Sequence, residues 1–254
     1  MTLKTELEFR IKLASNKLIS LWENNHFKYS SENNTQNIFS NLKCLYALLI
    51  SDSLFKLNTE KINNIFNYYN QFITIKENEM FLIINDKSNH NWNAVMMLIY
   101  QQMNLPEVIS IKTHLINQVN KNDTFPDFYP IYALLLNGFY DENVFNKVRW
   151  TNLYSFYETF CIYKYTKKNK QEIDNFRAFE LKSTTSLFAS QYQRSLLLNG
   201  FNDENIKVLD YQIGTQIIQG ENAGLFAKRK NSKEIRIDYT SESLHSMIEI
   251  HNII

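Results

Sequence analysis

Glycine, proline and cysteine are all scarce in this sequence. Its 254 residues include 5 glycines, 3 prolines and 2 cysteines. Sandwiches and barrels with many strands need glycine and proline turns between the strands, so this scarcity excludes them and favours helices. Cys44 and Cys161 are isolated thiols without the spacing of metal ligands, and we expect both to be small buried hydrophobic side chains.

An excess of charge of one sign is also missing. The chain carries 27 basic and 26 acidic residues, a formal net charge of +1. This balance excludes the strong overall field that draws a protein to nucleic acid or to an anionic membrane, and we expect neither as a partner. The longest apolar runs, such as Cys44–Ile50 and Ala94–Tyr100, are far shorter than the ~18 residues of a membrane span. Charged residues replace the apolar centre of a signal peptide near the start, which predicts a soluble, cytoplasmic protein.

Apolar residues are abundant and recur at helical spacing. A hydrophobic fraction of 44% and an aromatic fraction of 14% allow a large core. Leu7, Ile11 and Leu18 share one face of a first helix with Leu21 and Trp22, and the same spacing predicts about a dozen helices in all. The later ones cover residues 38–49, a segment capped by Thr59, Asn91–Met103, a segment opened by Pro106, Phe128–Leu136, Glu142–Arg149, Asn152–Lys167, Lys170–Leu181, Thr185–Leu198, Glu204–Gln219, and a last helix capped by Ser241 with Leu244, Ile248 and Ile253 on its inner face.

Three segments interrupt the helical pattern. The polar stretch His26–Gln36 is typical of a loop, and the short apolar run Met80–Ile84 indicates a strand or extended segment. Leu225–Lys228 and Glu234–Asp238 flank a polar turn and predict a small hairpin. Together these patterns favour one all-α domain over residues 1–254, with one or two short β-hairpins.

One motif occurs twice. Residues 134–143 return as residues 196–205, with nine of the ten positions identical. In each copy a helix ends on leucines, glycine takes the left-handed position after it, and aspartate caps the next helix. A helix–turn–helix unit that recurs in this way is typical of helical-repeat proteins.

The segment Asn85–Asn93 groups polar residues at the start of a helix. Free backbone N–H groups and the positive end of the helix dipole favour an anionic ligand there. Asn89 and Trp92 are candidate ligand contacts, and His90 is a candidate general base near neutral pH. The alternative is that Asn, Ser and Asp side chains cap the helix while Trp92 packs in the core.

A second polar group surrounds the start of the last helix. Arg236 is a candidate ligand for a carboxylate or phosphate, Asp238 is a further candidate contact, and Tyr239 is a candidate proton donor. The alternative is an Arg–Asp pair that stabilises the hairpin, beside an ordinary helix cap at Thr240 or Ser241. No metal ligands and no cofactor motif accompany either group.

Helical hairpins in series with polar helix starts resemble an α/α toroid, the architecture of terpenoid cyclases, prenyltransferase-like proteins and several polysaccharide lyases. The segment Ser88–Trp92 is similar to an Asn-Asn-His segment with a nearby aromatic residue in toroid-type lyases, although Ser88 replaces the first asparagine. In those enzymes asparagine neutralises the substrate carboxylate, and histidine or tyrosine removes the proton. The resemblance implies these roles for Asn89 and His90, with Tyr239 and Arg236 as partners.

Two functions follow as hypotheses. One is an enzyme or binding protein for a small molecule or saccharide, held in a polar, aromatic-lined central funnel, without a cofactor. The other is a non-catalytic helical scaffold that binds a protein partner. The first predicts that the two polar groups meet at one ligand, and the second predicts that they face solvent separately, with an exposed apolar patch elsewhere on the protein.

Overall fold

The computed structural model describes residues 2–28, 37–121, 128–147, 157, 160–161, 185–198 and 200–254. Within these residues the protein is mostly helical, with two short antiparallel hairpins, as the sequence predicts. The helices are α1 (Leu3–Ser20), α2 (Ile38–Phe55), α3 (Thr59–Asn70), α4 (His90–Gln102), α5 (Val108–Lys121), α6 (Phe128–Leu136), α7 (Glu142–Lys147), α8 (Ser186–Leu197), α9 (Asp203–Thr215) and α10 (Ile237–His251). The strands are β1 (Trp22–Glu23), β2 (His26–Phe27), β3 (Ile73–Lys76) and β4 (Glu79–Leu82).

The chain forms two compact units. Unit 1 comprises Met1–Phe66 and Phe179–Ile254, and unit 2 comprises Asn67–Ala178. The single domain expected over residues 1–254 stays a prediction. The helices expected over Asn152–Lys167 and Lys170–Leu181 lie almost wholly outside the described residues.

Unit 1 is built around α10. This helix packs against α1, α2 and α8, and α8 in turn packs against α9. Leu7, Leu45 and Leu244 are fully buried in the core, as the helical spacing predicts. Because α10 has neighbours on several sides, almost all of its residues are buried.

Helix α2 is the only described helix long and apolar enough to span a membrane by length and composition. Half of its length is buried inside the protein, and it packs against α1 and α10. Its buried face also carries the polar side chains of Asn41 and Asp52. These are the features of a core helix.

The start of α10 differs from the prediction. The helix begins at Ile237, so Asp238 lies in its first turn, where a negative charge interacts favourably with the helix dipole. Ser241 is therefore not a cap, and its hydroxyl donates to the Asp238 carbonyl oxygen at 3.2 Å. The predicted hairpin is reduced to a single antiparallel bridge between Ala227 and Ile235. Ile253 lies beyond the helix and is 53% exposed, so its predicted place on the inner face is wrong.

Three smaller predictions are also corrected. Asn58, not Thr59, caps α3, since its side-chain oxygen accepts the Lys61 N–H at 3.1 Å. Helix α9 ends at Thr215, before the predicted Gln219, because Gln216 turns into extended backbone and pairs with Phe226. Part of the expected loop after His26 is strand β2, which pairs with β1.

Unit 2 places a hairpin beside a helical layer. Strands β3 and β4 pair antiparallel, which confirms the extended run near Met80, and α4 packs against β4, α5 and α6. After the hairpin, Asn85 and Asp86 both adopt left-handed backbone, with φ of 52° and 59°. Asparagine and aspartate tolerate this conformation better than other non-glycine residues, so the chain turns tightly here before α4 begins.

The repeated motif forms the predicted turn in both copies. Gly138 and Gly200 are left-handed, with φ of +73° and +91°. In the first copy the Phe139 N–H donates to the Leu134 carbonyl at 2.9 Å, which closes the end of α6. The first copy is capped by aspartate as predicted, because Asp141 accepts the Asn143 N–H at 2.9 Å.

The second copy is capped one residue earlier. Asn202 accepts the N–H groups of Glu204 and Asn205, and the Asn205 side chain accepts the Asn202 N–H. This reciprocal pair makes Asn202 the cap and places Asp203 inside the helix. Asn202 is also the one position at which the two copies differ, because Tyr140 occupies it in the first copy.

Candidate functional site

The first predicted group surrounds the start of α4 in unit 2. Asn89 is the N-cap, and its side-chain oxygen accepts the Asn91 N–H at 2.8 Å. Asn89 is exposed, while His90 and Trp92 are partly exposed in the first turn. The structure thus brings the three residues together, with the asparagine oxygen engaged in capping and part of each side chain open to solvent.

A neighbouring residue that sequence reasoning missed fixes this helix start. Asn93 is almost completely buried, its side-chain oxygen accepts the Leu82 N–H at 2.7 Å, and its amide donates to Ser88 Oγ at 3.0 Å. These bonds tie the first turn of α4 to strand β4. The signal in the sequence was an asparagine at the head of a long apolar run, a place where a polar side chain needs a partner.

The second predicted group is assembled at the start of α10 in unit 1. Arg236 donates to both carboxylate oxygens of Asp238, at 3.0 and 2.6 Å. Its guanidinium carbon lies 5.1 Å from the centre of the Tyr239 ring. The Tyr239 hydroxyl donates to the Glu234 carboxylate at 3.1 Å. Arg236 is about one-third exposed, whereas Asp238 is mostly covered.

The environment of Tyr239 sets its chemistry. Burial of the ring, with a further contribution from the Glu234 carboxylate, raises the pKa of the Tyr239 hydroxyl to about 12. The phenol is therefore protonated near neutral pH and can donate a hydrogen bond or a proton, but it cannot serve as a base there. The Arg–Asp pair foreseen as the alternative for this group is present, next to the proposed donor. That the two polar groups act on one ligand stays a prediction.

Unit 1 also contains charged residues that sequence reasoning missed. We call Lys43, Arg194, Glu242, His245 and Glu249 the charged network. Arg194 is fully buried and donates two hydrogen bonds to the Glu249 carboxylate, at 3.0 and 2.9 Å. Glu242 is also buried and lies between two cations, in a salt bridge with Lys43 and 3.6 Å from Arg194 Nη1.

His245 completes this network. Its Nε2 lies 3.5 Å from Glu249 Oε1, and its ring packs edge-on against Tyr46 with the centroids 5.4 Å apart. Burial, followed by the positive charges of Arg194 and Lys43, holds the pKa of His245 well below its usual range. The imidazole is therefore neutral at pH 7.

Buried hydroxyl and amide side chains continue the polar interior between α8, α9 and α10. The Ser190 hydroxyl contacts Ser243 Oγ at 2.9 Å and accepts from the Gln212 amide at 2.7 Å. Gln212 Oε1 and Ser246 Oγ are buried without a hydrogen-bond partner among the described residues. Buried polar atoms of this kind are uncommon in native proteins, so the polar interior between these three helices is an unusual feature of unit 1.

A sequence signal for the network did exist. Asp238, Glu242, His245 and Glu249 follow one another at intervals of four, three and four residues, the spacing of a buried helical face. Leu244 and Ile248 lie on the same helix, and both are buried, as predicted for its inner face. Because α10 is covered nearly all round, a second inner face carries the charges. No cluster of three or more His, Cys, Asp or Glu side chains suited to a metal ion occurs within the described part of the chain.

Comparisons with known proteins give one clear likeness. No protein-family model matches the sequence, and no curated protein matches it significantly. A solved structure described as a novel alpha-amylase from Clostridium perfringens matches with a TM-score of 0.64 and 12% sequence identity, covering 96% of this chain and 98% of that one. At this identity the match shows that the two chains share a fold over nearly their whole length.

Proposed function

We propose that this protein binds and processes a saccharide, with the start of α10 as a ligand-contact site. The observation that carries the proposal is the assembled arrangement of Arg236, Asp238 and Tyr239 at a partly exposed helix start. The alpha-amylase with which the chain shares its fold supports the choice of a saccharide as ligand. A full or partial α/α toroid, the architecture of several carbohydrate-active enzymes, is part of the same proposal.

The chemistry of the α10 start suits a sugar. Sugar hydroxyls both donate and accept hydrogen bonds, and this group offers the guanidinium of Arg236 as donor with the carboxylates of Asp238 and Glu234 as acceptors. The Tyr239 hydroxyl, which donates its proton to Glu234 in the structure, is the proposed proton donor to the ligand. A few polar groups held in fixed positions beside an aromatic ring are typical of ligand sites.

The start of α4 provides the second part of the proposal. Here Asn89 and Trp92 are ligand contacts, and His90 is the general base. His90 is partly exposed in the first turn of α4, where a ligand can reach it, and imidazole is the side chain that most often transfers protons in enzymes. This role is separable from that of Arg236, because loss of a base lowers turnover while loss of a ligand contact lowers affinity.

Binding is tested by calorimetric titration of the protein with maltohexaose. We expect Arg236→Gln to lower the affinity at least tenfold, because the variant loses the charged guanidinium, which is the proposed donor to the ligand. Lys207→Gln is the matched control, since Lys207 is an exposed cation of unit 1 paired with Glu204 at 3.4 Å. Absence of any binding by the wild-type protein contradicts the proposal.

Processing is tested by the release of reducing ends from an α-1,4-glucan. We expect His90→Gln to lower turnover by about 10²-fold or more, the usual contribution of a general base, with little change in affinity. His26→Gln is the control, since His26 is a partly exposed histidine on β2 in unit 1. Equal turnover in both variants would remove His90 from the mechanism.

A protein-binding scaffold is the second candidate, and one observation favours it. Ile75 on β3 and Ile109 on α5 are each 69% exposed in unit 2, although isoleucine is among the residue types most often buried. If the wild-type protein fails to bind maltohexaose, capture of a partner by the wild type but not by Ile75→Ser/Ile109→Ser supports the scaffold.

A further inference from the structure

Helices α2 and α10 present a strip of partly exposed side chains along their line of contact in unit 1. We call Phe39, Lys43, Tyr46, His245 and Glu249 the α2–α10 strip. The first three lie at intervals of four and three residues on α2, so they share a face, and the other two lie one turn apart on α10. The Lys43 ammonium lies 5.3 Å from the Phe39 ring centre, and Tyr46 meets His245 edge-on.

The charges of the network alternate in sign from Lys43 on the strip, through two buried residues, to Glu249 on the strip. Lys43 pairs with Glu242, Glu242 lies beside Arg194, and Arg194 pairs with Glu249. Arg194 and Glu242 are 0% and 1% exposed, whereas Glu249 is 31% exposed. The series therefore ends at the carboxylate of Glu249, which reaches solvent and forms a bidentate salt bridge with the buried guanidinium of Arg194.

A buried network of charges is not needed for the stability of the fold. Removing charges from water costs several kcal/mol per ion, and well-packed apolar side chains in the same space are often at least as stable. The network does fix the direction of the Glu249 carboxylate, because Arg194 donates to both of its oxygens. Such fixed geometry is what a binding site requires.

We propose that the α2–α10 strip is a saccharide-binding subsite. Glu249 accepts hydrogen bonds from ligand hydroxyls, and the rings of Tyr46 and Phe39 offer apolar surface to the sugar. Arg194 is the positioning residue that orients Glu249. This assignment rests on the proposed function and names a place for the ligand within unit 1 that is additional to the start of α10.

The charge of the strip selects a neutral ligand. Two cations and two carboxylates balance within the network, and the neutral imidazole of His245 adds no charge near neutral pH. Of the charged groups beside the aromatic rings, Glu249 is 31% exposed and Lys43 is 12% exposed, so a ligand at the strip meets charges of both signs. A neutral polyhydroxylated molecule matches donors and acceptors of both kinds together with aromatic rings.

The test is a calorimetric titration of maltohexaose into Glu249→Gln. We expect the affinity to fall about tenfold, because the variant loses the charged acceptor. The matched control is Glu204→Gln, another partly exposed carboxylate of unit 1 in an ion pair. Tyr46→Leu provides an independent variant, in which removal of the ring lowers affinity severalfold while an apolar side chain remains against His245.

The role of Arg194 is tested by a double-mutant cycle. Arg194→Lys keeps the positive charge but loses the fork, and we expect it to weaken binding about as much as Glu249→Gln does. If Arg194 acts through Glu249, the double variant loses no more affinity than either single variant. Effects that simply add would show that Arg194 has only a structural role. Should Arg194→Lys fail to fold, the Glu249 and Tyr46 variants still decide the assignment.

The outcomes separate the two proposals. No binding of maltohexaose by the wild-type protein overturns the proposed function and this subsite with it. Binding that is weakened by Arg236→Gln but is equal in Glu249→Gln, Tyr46→Leu and Glu204→Gln overturns the subsite alone. Selective loss in Glu249→Gln and Tyr46→Leu supports it.

Discussion

His245 shows how one neutral side chain depends on the charges around it. It faces Arg194 on α8, Lys43 and Tyr46 on α2, and Glu249 on its own helix. Lys43 and Arg194 together occupy both carboxylates of the network, so a proton on the imidazole adds a third cation to a buried region. Neutral His245 is therefore part of what keeps α2, α8 and α10 together.

This environment predicts an acid-sensitive stability. The pKa of His245 is depressed in the folded state. In the unfolded chain the histidine has its ordinary pKa of about 6.5, so below that pH the unfolded chain binds a proton that the folded chain does not. Stability is thus lost as the pH falls through about 6.5 and below, by up to about 1.4 kcal/mol per pH unit for one proton. We expect urea unfolding between pH 7.5 and 5.5 to show a smaller loss in His245→Gln than in the wild type.

The control for this measurement is His26→Gln, which should keep the wild-type pH dependence. An unchanged dependence in His245→Gln would show that His245 accepts its proton as readily in the folded state as in the unfolded state. The Glu249 carboxylate would then outweigh burial and the two cations.

At the scale of the element, the two copies of the repeated motif show how a single residue moves a helix boundary. Asn202 starts α9 one position earlier than Asp141 starts α7, and the copies differ only at that residue. Asparagine and aspartate are both good caps, so whichever comes first along the chain takes the role. Tyrosine cannot accept the backbone N–H groups in this way.

Asn202→Tyr should therefore make the second copy behave as the first. We expect α9 to begin at Glu204 with Asp203 as its cap, and the free energy of unfolding to fall by about 1 kcal/mol because the reciprocal pair with Asn205 is lost. Chemical denaturation measures the loss, and amide exchange at residues 204 and 205 locates it. The reverse change, Tyr140→Asn, is the control and should leave stability equal or slightly higher. A loss spread over the core of unit 1 would contradict the capping role.

Prediction from sequence works where local chemistry decides the element. The bounds of α6 match the prediction at both ends, and the left-handed glycines after α6 and α8 are as expected. Local rules failed at α10, because Ser241 and Thr240 are good caps in isolation but the helix already runs through them. The helix that starts at Ile237 packs against α2, and no local pattern contains that tertiary contact.

The candidate sites show the same difference between features set by local chemistry and features set by tertiary packing. The polar groups at the starts of α4 and α10 could be predicted because helix starts collect polar side chains in every protein. The charged network could not, since Arg194 and Glu249 are 55 residues apart and meet Lys43 only after α2, α8 and α10 have packed. The periodic spacing of charges along α10 was visible, but without the neighbouring helices a charged face is ordinarily a solvated one.

At the scale of the whole molecule, unit 1 is held together by contacts between distant parts of the chain. Gly224 lies in the segment that follows α9, where its N–H donates to the Ile217 carbonyl at 2.7 Å, and it packs directly against α1. Its φ is +101°, and a Cβ atom there would lie 2.4 Å from the Leu13 carbonyl oxygen. Glycine is required for both its conformation and its size.

Gly224→Ala should consequently destabilise unit 1 strongly. Gly220→Ala is the matched control, because Gly220 is also left-handed, with φ of +80°, but has open space around it. We expect Gly220→Ala to lower the free energy of unfolding by about 1–2 kcal/mol, from backbone conformation alone. Gly224→Ala should lower it further, because the backbone of α1 must also move. Thermal unfolding of the two variants measures the difference. Equal losses of stability in the two variants would show that the close contact of Gly224 with α1 does not contribute to stability.

The division of unit 1 into two stretches of chain has a consequence for biosynthesis. During translation α1 and α2 emerge from the ribosome long before α10, the helix against which both of them pack. Unit 2 lies between these stretches, so its α4, α5 and hairpin have their partners while the apolar faces of α1 and α2 are still uncovered. The nascent chain therefore exposes Leu45 and its neighbours for the time needed to make more than a hundred residues, an interval in which a chaperone that binds apolar segments would favour productive folding.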